Sequence, residues 1–315
     1  MPTNPLRPVL LAAGRSHRLE RVVAKSALTR SLVQRFIAGS TEPEVLASVR
    51  GLLASGRAIS VDYLGEDTTD AAQATATVDA YLSLLHSYAA LRAPGEHALE
   101  VSLKLSALGQ SLPGDGHDVA LANAHKVCAA ADAAGVWVTV DAEDHTTTDS
   151  TLSIVRELRK DFPSLGTVLQ AYLHRTEQDC RDLSGPGSRI RLCKGAYREP
   201  EAVAFQKKED VDASYERCLR VLMEGDGYPM VASHDPRMID AALRDAAELG
   251  RGPGDMEFQM LYGIRDGEQV RLASEGHRVR VYVPFGTQWY GYFMRRLAER
   301  PANMTFFLRS LLSRS

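Results

Sequence analysis

The chain has 315 residues, of which 44% are hydrophobic and 24% charged, and its net charge is -3. That length suits one large α/β domain or two small ones, and the composition is that of an ordinary soluble globular protein. The near-neutral balance argues against nucleic acid or a strongly anionic surface as the main partner.

Cys128, Cys180, Cys193 and Cys218 form no CxxC pair and read as reduced thiols of a cytosolic protein. The early apolar run Val9–Ala13 is too short for a signal-peptide core or a membrane span. These features predict a cytoplasmic protein that touches a membrane at most peripherally.

Leu19–Ala38 and Pro43–Ala54 read as two helices, broken by Gly39-Ser40-Thr41. Ser40 or Thr41 is suited to cap the second. Residues 1–55 are therefore expected to form a helical extension packed on a domain spanning residues 56–315. From Ala58 onward short β-rich runs recur: Ala58–Tyr63, Glu100–Leu105, Val136–Asp141, Thr167–Tyr172, Arg189–Cys193, Pro229–Ser233, Met256–Leu261 and Arg278–Val283. Helical stretches separate them, among them Asp70–Leu91, Ala120–Ala134, Thr148–Lys160, Asp212–Gly225 and Pro236–Gly250. Strand followed by helix, repeated in this way, predicts a closed parallel (βα)8 barrel. An open doubly wound sheet competes, but it favours a Gly-rich turn after the first strand. Here that turn is Leu64-Gly65-Glu66-Asp67.

In a parallel barrel, chemistry gathers where the strands end. Those positions are polar here: Lys104, Asp141, Gln170, Arg191 with Lys194, Ser233 with His234, Gln259 and Tyr282. Taken singly, Lys104 reads as a rim lysine, Asp141 as a helix cap and His234 as a hydrogen-bonded structural histidine. A lysine buried at the end of a strand needs a charged partner, and Asp141 on the next strand is the expected one. In Arg191-Leu192-Cys193-Lys194-Gly195-Ala196-Tyr197, Arg191 is placed to point inward. Gly195 and Ala196 are small enough to let a flat ligand reach the backbone. The acidic run Asp141–His145 lacks further His or Cys at ligand spacing, so no metal is expected.

The C-terminal Tyr292-x-x-Arg295-Arg296-x-x-Glu299 places its polar groups on one side of a short helix. Tyr290, Met294 and Leu297 form the opposing apolar stripe. Two planar guanidinium forks beside an aromatic suit a small carboxylate.

Taken together, these motifs resemble the flavin-dependent proline dehydrogenases. The likeness runs from about Ala58 to the C-terminus. It rests on Ser60–Glu66, Ser102–Ser106, Val140–Glu143, Gln170–Tyr172, Arg191–Tyr197, Glu257–Gly263 and the Tyr292–Glu299 pattern. The resemblance implies a distorted (βα)8 barrel, a TIM barrel holding non-covalent FAD, with the last helix over the cofactor. It implies oxidation of L-proline to 1-pyrroline-5-carboxylate, with electrons passed to a quinone-type acceptor. By matching positions, Arg295 and Arg296 would bind the proline carboxylate with Lys104 assisting, and Tyr282, Tyr292 and Leu261 would pack on the ring. Asp141 would pair with Lys104 or the amine, and Arg191 would lie against the flavin. Ala142, Gln170, Lys194, Gly195, Ala196, Ser233 and His234 would line it.

Cys193, Ser233 and Arg198 depart from residues common in the family, and Arg198 puts the packing beside the flavin ring in question. A single-function enzyme is implied, with a separate pyrroline-5-carboxylate dehydrogenase consuming the product. Two other readings compete: a Schiff-base aldolase using Lys104 as nucleophile, and a non-catalytic carboxylate-binding barrel. The aldolase needs Lys104 neutral, and a neighbouring Asp141 opposes that.

Overall fold

The computed structural model describes residues 32–91, 93 and 95–299. Eight strands form the barrel wall: β1 (Ala58–Tyr63), β2 (Leu99–Leu103), β3 (Trp137–Val140), β4 (Gly166–Gln170), β5 (Arg189–Cys193), β6 (Tyr228–Ala232), β7 (Glu257–Leu261) and β8 (Val279–Phe285). Each pairs in parallel with the next, and β1 pairs with both β2 and β8, so the sheet closes. The expected barrel is present and the open sheet is excluded.

Helices α1 (Glu42–Ala54), α2 (Ala71–Tyr88), α3 (Gly116–Ala133), α4 (Thr148–Leu158), α5 (Thr176–Leu183), α6 (Lys208–Glu224), α7 (Pro236–Leu249), α8 (Asp266–Ser274) and α9 (Trp289–Glu299) follow in chain order. Of these nine, α1 precedes β1. The short helices α5 and α8 are not among the stretches read from sequence. Most of the helix expected over Leu19–Ala38 lies outside the described residues; within them, 32–34 are helical. Thr41 is the N-cap of α1, and Glu44 Oε2 accepts from the amides of Ser40 and Thr41. Val45, Val49, Leu52 and Leu53 of α1 share one apolar cluster with Ile59, Val281 and Phe285 of the wall. This helix is therefore packed on the barrel.

The strands alternate, but not in the usual sense. Ile59, Val61, Val101, Leu103, Ile190, Leu192, Phe258, Val279 and Val281 are buried in apolar clusters with the helices. Burial of such side chains contributes about 1.5–3 kcal/mol each. The residues between them point to the axis and are polar or charged. Arg191 on β5 reaches across to Ser60 on β1 and to Glu100 and Ser102 on β2, none of which neighbours it in the wall.

Eight buried charges sit on the strands or one residue past their ends. They are Lys104, Arg189, Arg191 and Arg280 against Asp62, Glu100, Asp141 and Glu257, four of each sign. A buried charge is tolerated only when paired and hydrogen-bonded. Arg280 donates to both oxygens of Glu257, Arg189 pairs with Glu100, and Arg191 pairs with Glu100 and Asp141. Glu100 is fully buried, and burial alone raises a carboxyl pKa; Arg280, Arg189 and Arg191 outweigh that and pull it down to about 2. At the N-terminal end of the barrel, the Arg189 guanidinium lies 3.6 Å from the Trp137 ring centroid, and His97 stacks on the same indole at 4.2 Å.

Candidate active site

The polar interior opens at the C-terminal ends of the strands. Lys104 follows β2, and its Nζ lies 2.6 Å from both oxygens of Asp62 on β1. Asp141, expected as its partner, lies 4.0 Å away. The closer pairing is therefore within the wall, strand one to strand two. Asp141 turns instead to Arg191, whose Nη1 donates to Oδ1 at 2.6 Å, and to Tyr282, whose hydroxyl donates to Oδ2 at 2.7 Å. Tyr282 also lies 3.4 Å from Lys104. Lys104, Asp62, Asp141, Arg191 and Tyr282 thus form one network. Burial opposes the charge on Lys104, but Asp62, Asp141 and Glu66 outweigh it and hold the ammonium form well above its ordinary pKa.

Helix α9 supplies the other half. Tyr290, Met294 and Leu297 are buried as the stripe predicts, and so is Tyr292. Arg295 is forked on Glu66, with nitrogen–oxygen distances of 2.5 and 3.0 Å. Glu66 lies in the loop after β1, so this pair ties the end of the chain to the first loop of the barrel. The Arg296 guanidinium lies 5.1 Å from the Tyr292 ring centroid, one helical turn away. The side chain of Glu299 lies outside the described residues.

The remaining expected residues lie at the end of β4 and in the loops after β3, β5 and β6. Gln170 is buried at the end of β4, and its Oε1 has no hydrogen-bond partner among the described residues. A buried unpaired oxygen at a mouth full of donors fits a ligand that would complete it. Gly195 has φ +116°, and a Cβ there would stand 2.4 Å from the Tyr172 ring. The backbone of Lys194-Gly195-Ala196 can hold this course only with glycine at its centre. Lys194 bridges Asp212 at 2.5 Å and Asp235 at 2.6 Å, and Lys208 and Arg237 also reach Asp212. Arg237 also reaches Glu216 at 3.3 Å, so three cations meet three carboxylates in this corner and it is a paired cluster. Ser233 Oγ accepts from the Asp235 amide, and His234 Nε2 accepts from the Leu261 amide at 2.9 Å. Through that bond His234 holds Leu261 in place. Ala142 follows Asp141 and is half-buried. These residues fit a flavin dinucleotide. The described residues contain no cluster of metal-ligating side chains.

A family model for proline dehydrogenase matches residues 45–309. The chain is 39% identical to proline dehydrogenase 1 of Bacillus subtilis strain 168, over 98% of this chain and 100% of that one. It is 41% identical to the proline dehydrogenase of Deinococcus radiodurans, over 90% of each. The chain belongs to the proline dehydrogenase family. Among solved structures, proline utilization A from Bdellovibrio bacteriovorus inactivated by N-propargylglycine superposes with a TM-score of 0.80 at 26% identity. That match covers 94% of this chain and 36% of the longer one.

As a proline dehydrogenase the protein is an oxidoreductase that converts L-proline to 1-pyrroline-5-carboxylate, and the family is flavin-dependent. The aldolase reading of Lys104 is dropped. Nothing supports it, and three carboxylates hold that amine charged. Sequence reasoning left Asp62, Glu66, Glu100 and Glu143 without roles. For Asp62 and Glu100 a signal existed, since an acid inside an otherwise apolar strand has to point inward and be paired. Glu66 and Glu143 lie in loops, where an acid is unremarkable until the fold places it. No helix among the described residues is long and apolar enough to cross a membrane.

Proposed function

We propose that the mouth of this barrel holds non-covalent FAD and places L-proline between it and α9. The observation that supports this best is the arrangement of charges. A buried Lys104–Asp62–Asp141–Arg191–Tyr282 network ends at the mouth, and Arg295, the first of the paired arginines of α9, is tied to the first loop beside it. Arg295 and Arg296 would take the carboxylate, with Lys104 adding a third positive charge. Tyr282, Tyr292 and Leu261 would bound the ring. Gln170, Lys194, Gly195, Ala196, Ala142, Ser233 and His234 would hold the dinucleotide, with Arg191 near its reactive nitrogen.

When bound, the flavin supplies the oxidant, accepting a hydride from the ring carbon beside the amine. The protein's share is orientation. Two arginines fixing the carboxylate hold that carbon at one position, which is an effect of proximity. The amine must be neutral when the hydride leaves, because an adjacent cation opposes the developing positive charge. Asp141 is already engaged by Arg191 and Tyr282, so it acts by setting the charge and the place of those two groups.

The electrons would pass to a quinone-type acceptor through peripheral membrane contact, and a separate pyrroline-5-carboxylate dehydrogenase would consume the product. Residues 1–55 would serve as an extension of the barrel. The test is anaerobic titration of the purified yellow protein. Proline should bleach the visible flavin bands, and glutamate and lactate should leave them unchanged. Bleaching by lactate but not proline would keep the carboxylate site and overturn the assignment to proline.

A further inference from the structure

Glu143 is buried in the loop after β3 and has no part in the mechanism above. Its carboxylate grips Ser106, in the loop after β2, twice. Oε1 accepts from the Ser106 amide at 3.0 Å, and Oε2 accepts from the Ser106 hydroxyl. Ser106 in turn holds the loop after β1. Its Oγ accepts from the Asp67 amide at 3.0 Å, and its carbonyl accepts from the Thr68 amide at 3.2 Å. Asp67 has φ +52°, a left-handed conformation that a non-glycine residue keeps only when something fixes it. The residue before it is Glu66, the partner of Arg295. Three adjacent loops are thus linked in series, with a buried acid at one end and the arginine helix at the other.

We propose that Glu143 is a positioning residue for substrate binding: through Ser106 and the Asp67 amide, its carboxylate sets the place of Glu66 and so of Arg295. The proposal rests on reading Arg295 as a carboxylate ligand.

The hydroxyl of Ser106 has one proton. While Glu143 is ionised, that proton goes to Glu143 and the oxygen lone pairs are left for Asp67. If Glu143 takes up a proton at Oε2, the bond reverses and the serine proton loses its acceptor. The switch lies in an accessible range. Burial pushes the Glu143 carboxyl up to about 7, and Glu66 adds to the push, while Ser106 and Lys104 oppose it. Tyr197, in the loop after β5, faces the same cluster and feels both Glu66 and Glu143. Affinity for the substrate carboxylate should therefore rise as Glu143 ionises.

Proline is a poor probe, because its own amine titrates. Tetrahydrofuran-2-carboxylate has the ring and the carboxylate but no amine, so the pH dependence of its binding reports the protein. Its dissociation constant can be read from the flavin spectrum of the holoenzyme between about pH 6 and about pH 8.5. If binding moves the pKa of one group by about one unit, affinity changes about tenfold across that range. The wild-type protein should show that rise. Glu143→Gln and Ser106→Ala should bind weakly at every pH, with normal flavin content and with the proline KM raised more than kcat is lowered. A flat wild-type profile, or a Glu143→Gln profile like the wild type, overturns the proposal. Should Glu143→Gln fail to fold, Ser106→Ala cuts the same chain with Glu143 intact and carries the same outcomes. Arg295→Lys separates the two readings. If it leaves analogue affinity unchanged, the assignment of Arg295 itself is wrong.

Discussion

Lys104 shows what one residue's surroundings decide. A lysine at the end of β2 predicts a buried acid beside it, and the sequence offers Asp141 on the following strand. The fold also places Asp62 on the preceding strand, one residue from the end of β1, with its side chain fully buried. At 2.6 Å against 4.0 Å, Asp62 is the stronger partner. Removing Lys104 leaves Asp62 as a buried charge without its counterion, a loss on the order of 3–5 kcal/mol. A double-mutant cycle measured by chemical denaturation should separate the two acids. Lys104→Ala with Asp62→Ala should show a coupling of about 1–3 kcal/mol, and Lys104→Ala with Asp141→Ala a smaller one. Equal couplings would mean that Lys104 divides its charge evenly, against the distances.

At the level of elements, all eight strands were legible as short β-rich runs, and in some of them charged and apolar residues alternate, as in Arg189–Cys193 and Arg278–Val283. The long helices were legible from their period. Helices α5 and α8 were not, because eight or nine residues hold too few turns for a period to declare itself. Helix α9 was legible down to its faces, since Tyr292, Arg295 and Arg296 are close in sequence. What it docks on was not. Glu66 lies 229 residues away from Arg295, and only closure of the barrel brings the first loop to the last helix. The same holds for Glu143 and Ser106. The sequence thus displays the groups that share an element and conceals those that meet across loops. Arg295→Lys and Arg296→Lys keep the charge and lose the fork. Each should raise the proline KM about ten- to hundredfold, the equivalent of one charged hydrogen bond, with flavin content unchanged. Steady-state kinetics on the two variants, beside flavin content from absorbance, checks this. Unaltered KM values in both would leave α9 as a surface helix.

For the molecule as a whole, the barrel is held by a charged axis inside an apolar sleeve, and two of its acids respond to pH in opposite senses. Glu100 has its pKa lowered from the ordinary 4.5 to about 2 by the three arginines around it, which overcome its burial. The unfolded chain binds that proton more readily, so the stabilisation is complete above 4.5 and is lost as pH falls towards 2. The difference corresponds to about 3 kcal/mol. Glu143 runs the other way. Burial raises its carboxyl from 4.5 to about 7, so the folded state holds the proton more tightly. Its contribution is complete below 4.5 and is lost as pH rises through 7, again by about 3 kcal/mol. A folded state that loses stability in order to ionise Glu143 near neutrality is consistent with a use for the carboxylate, the one inferred above through Ser106. Stability should climb from acid pH to about 4.5 and then decline towards 8, unlike a protein whose acids are all lowered. Glu143→Gln has no proton to lose, so it should keep the climb and abolish the decline. It should match the wild type near pH 5 and melt several degrees higher near pH 8. Thermal denaturation of both proteins across about pH 4 to about pH 8.5 measures this. A decline of the same size in both would place its origin in some other group.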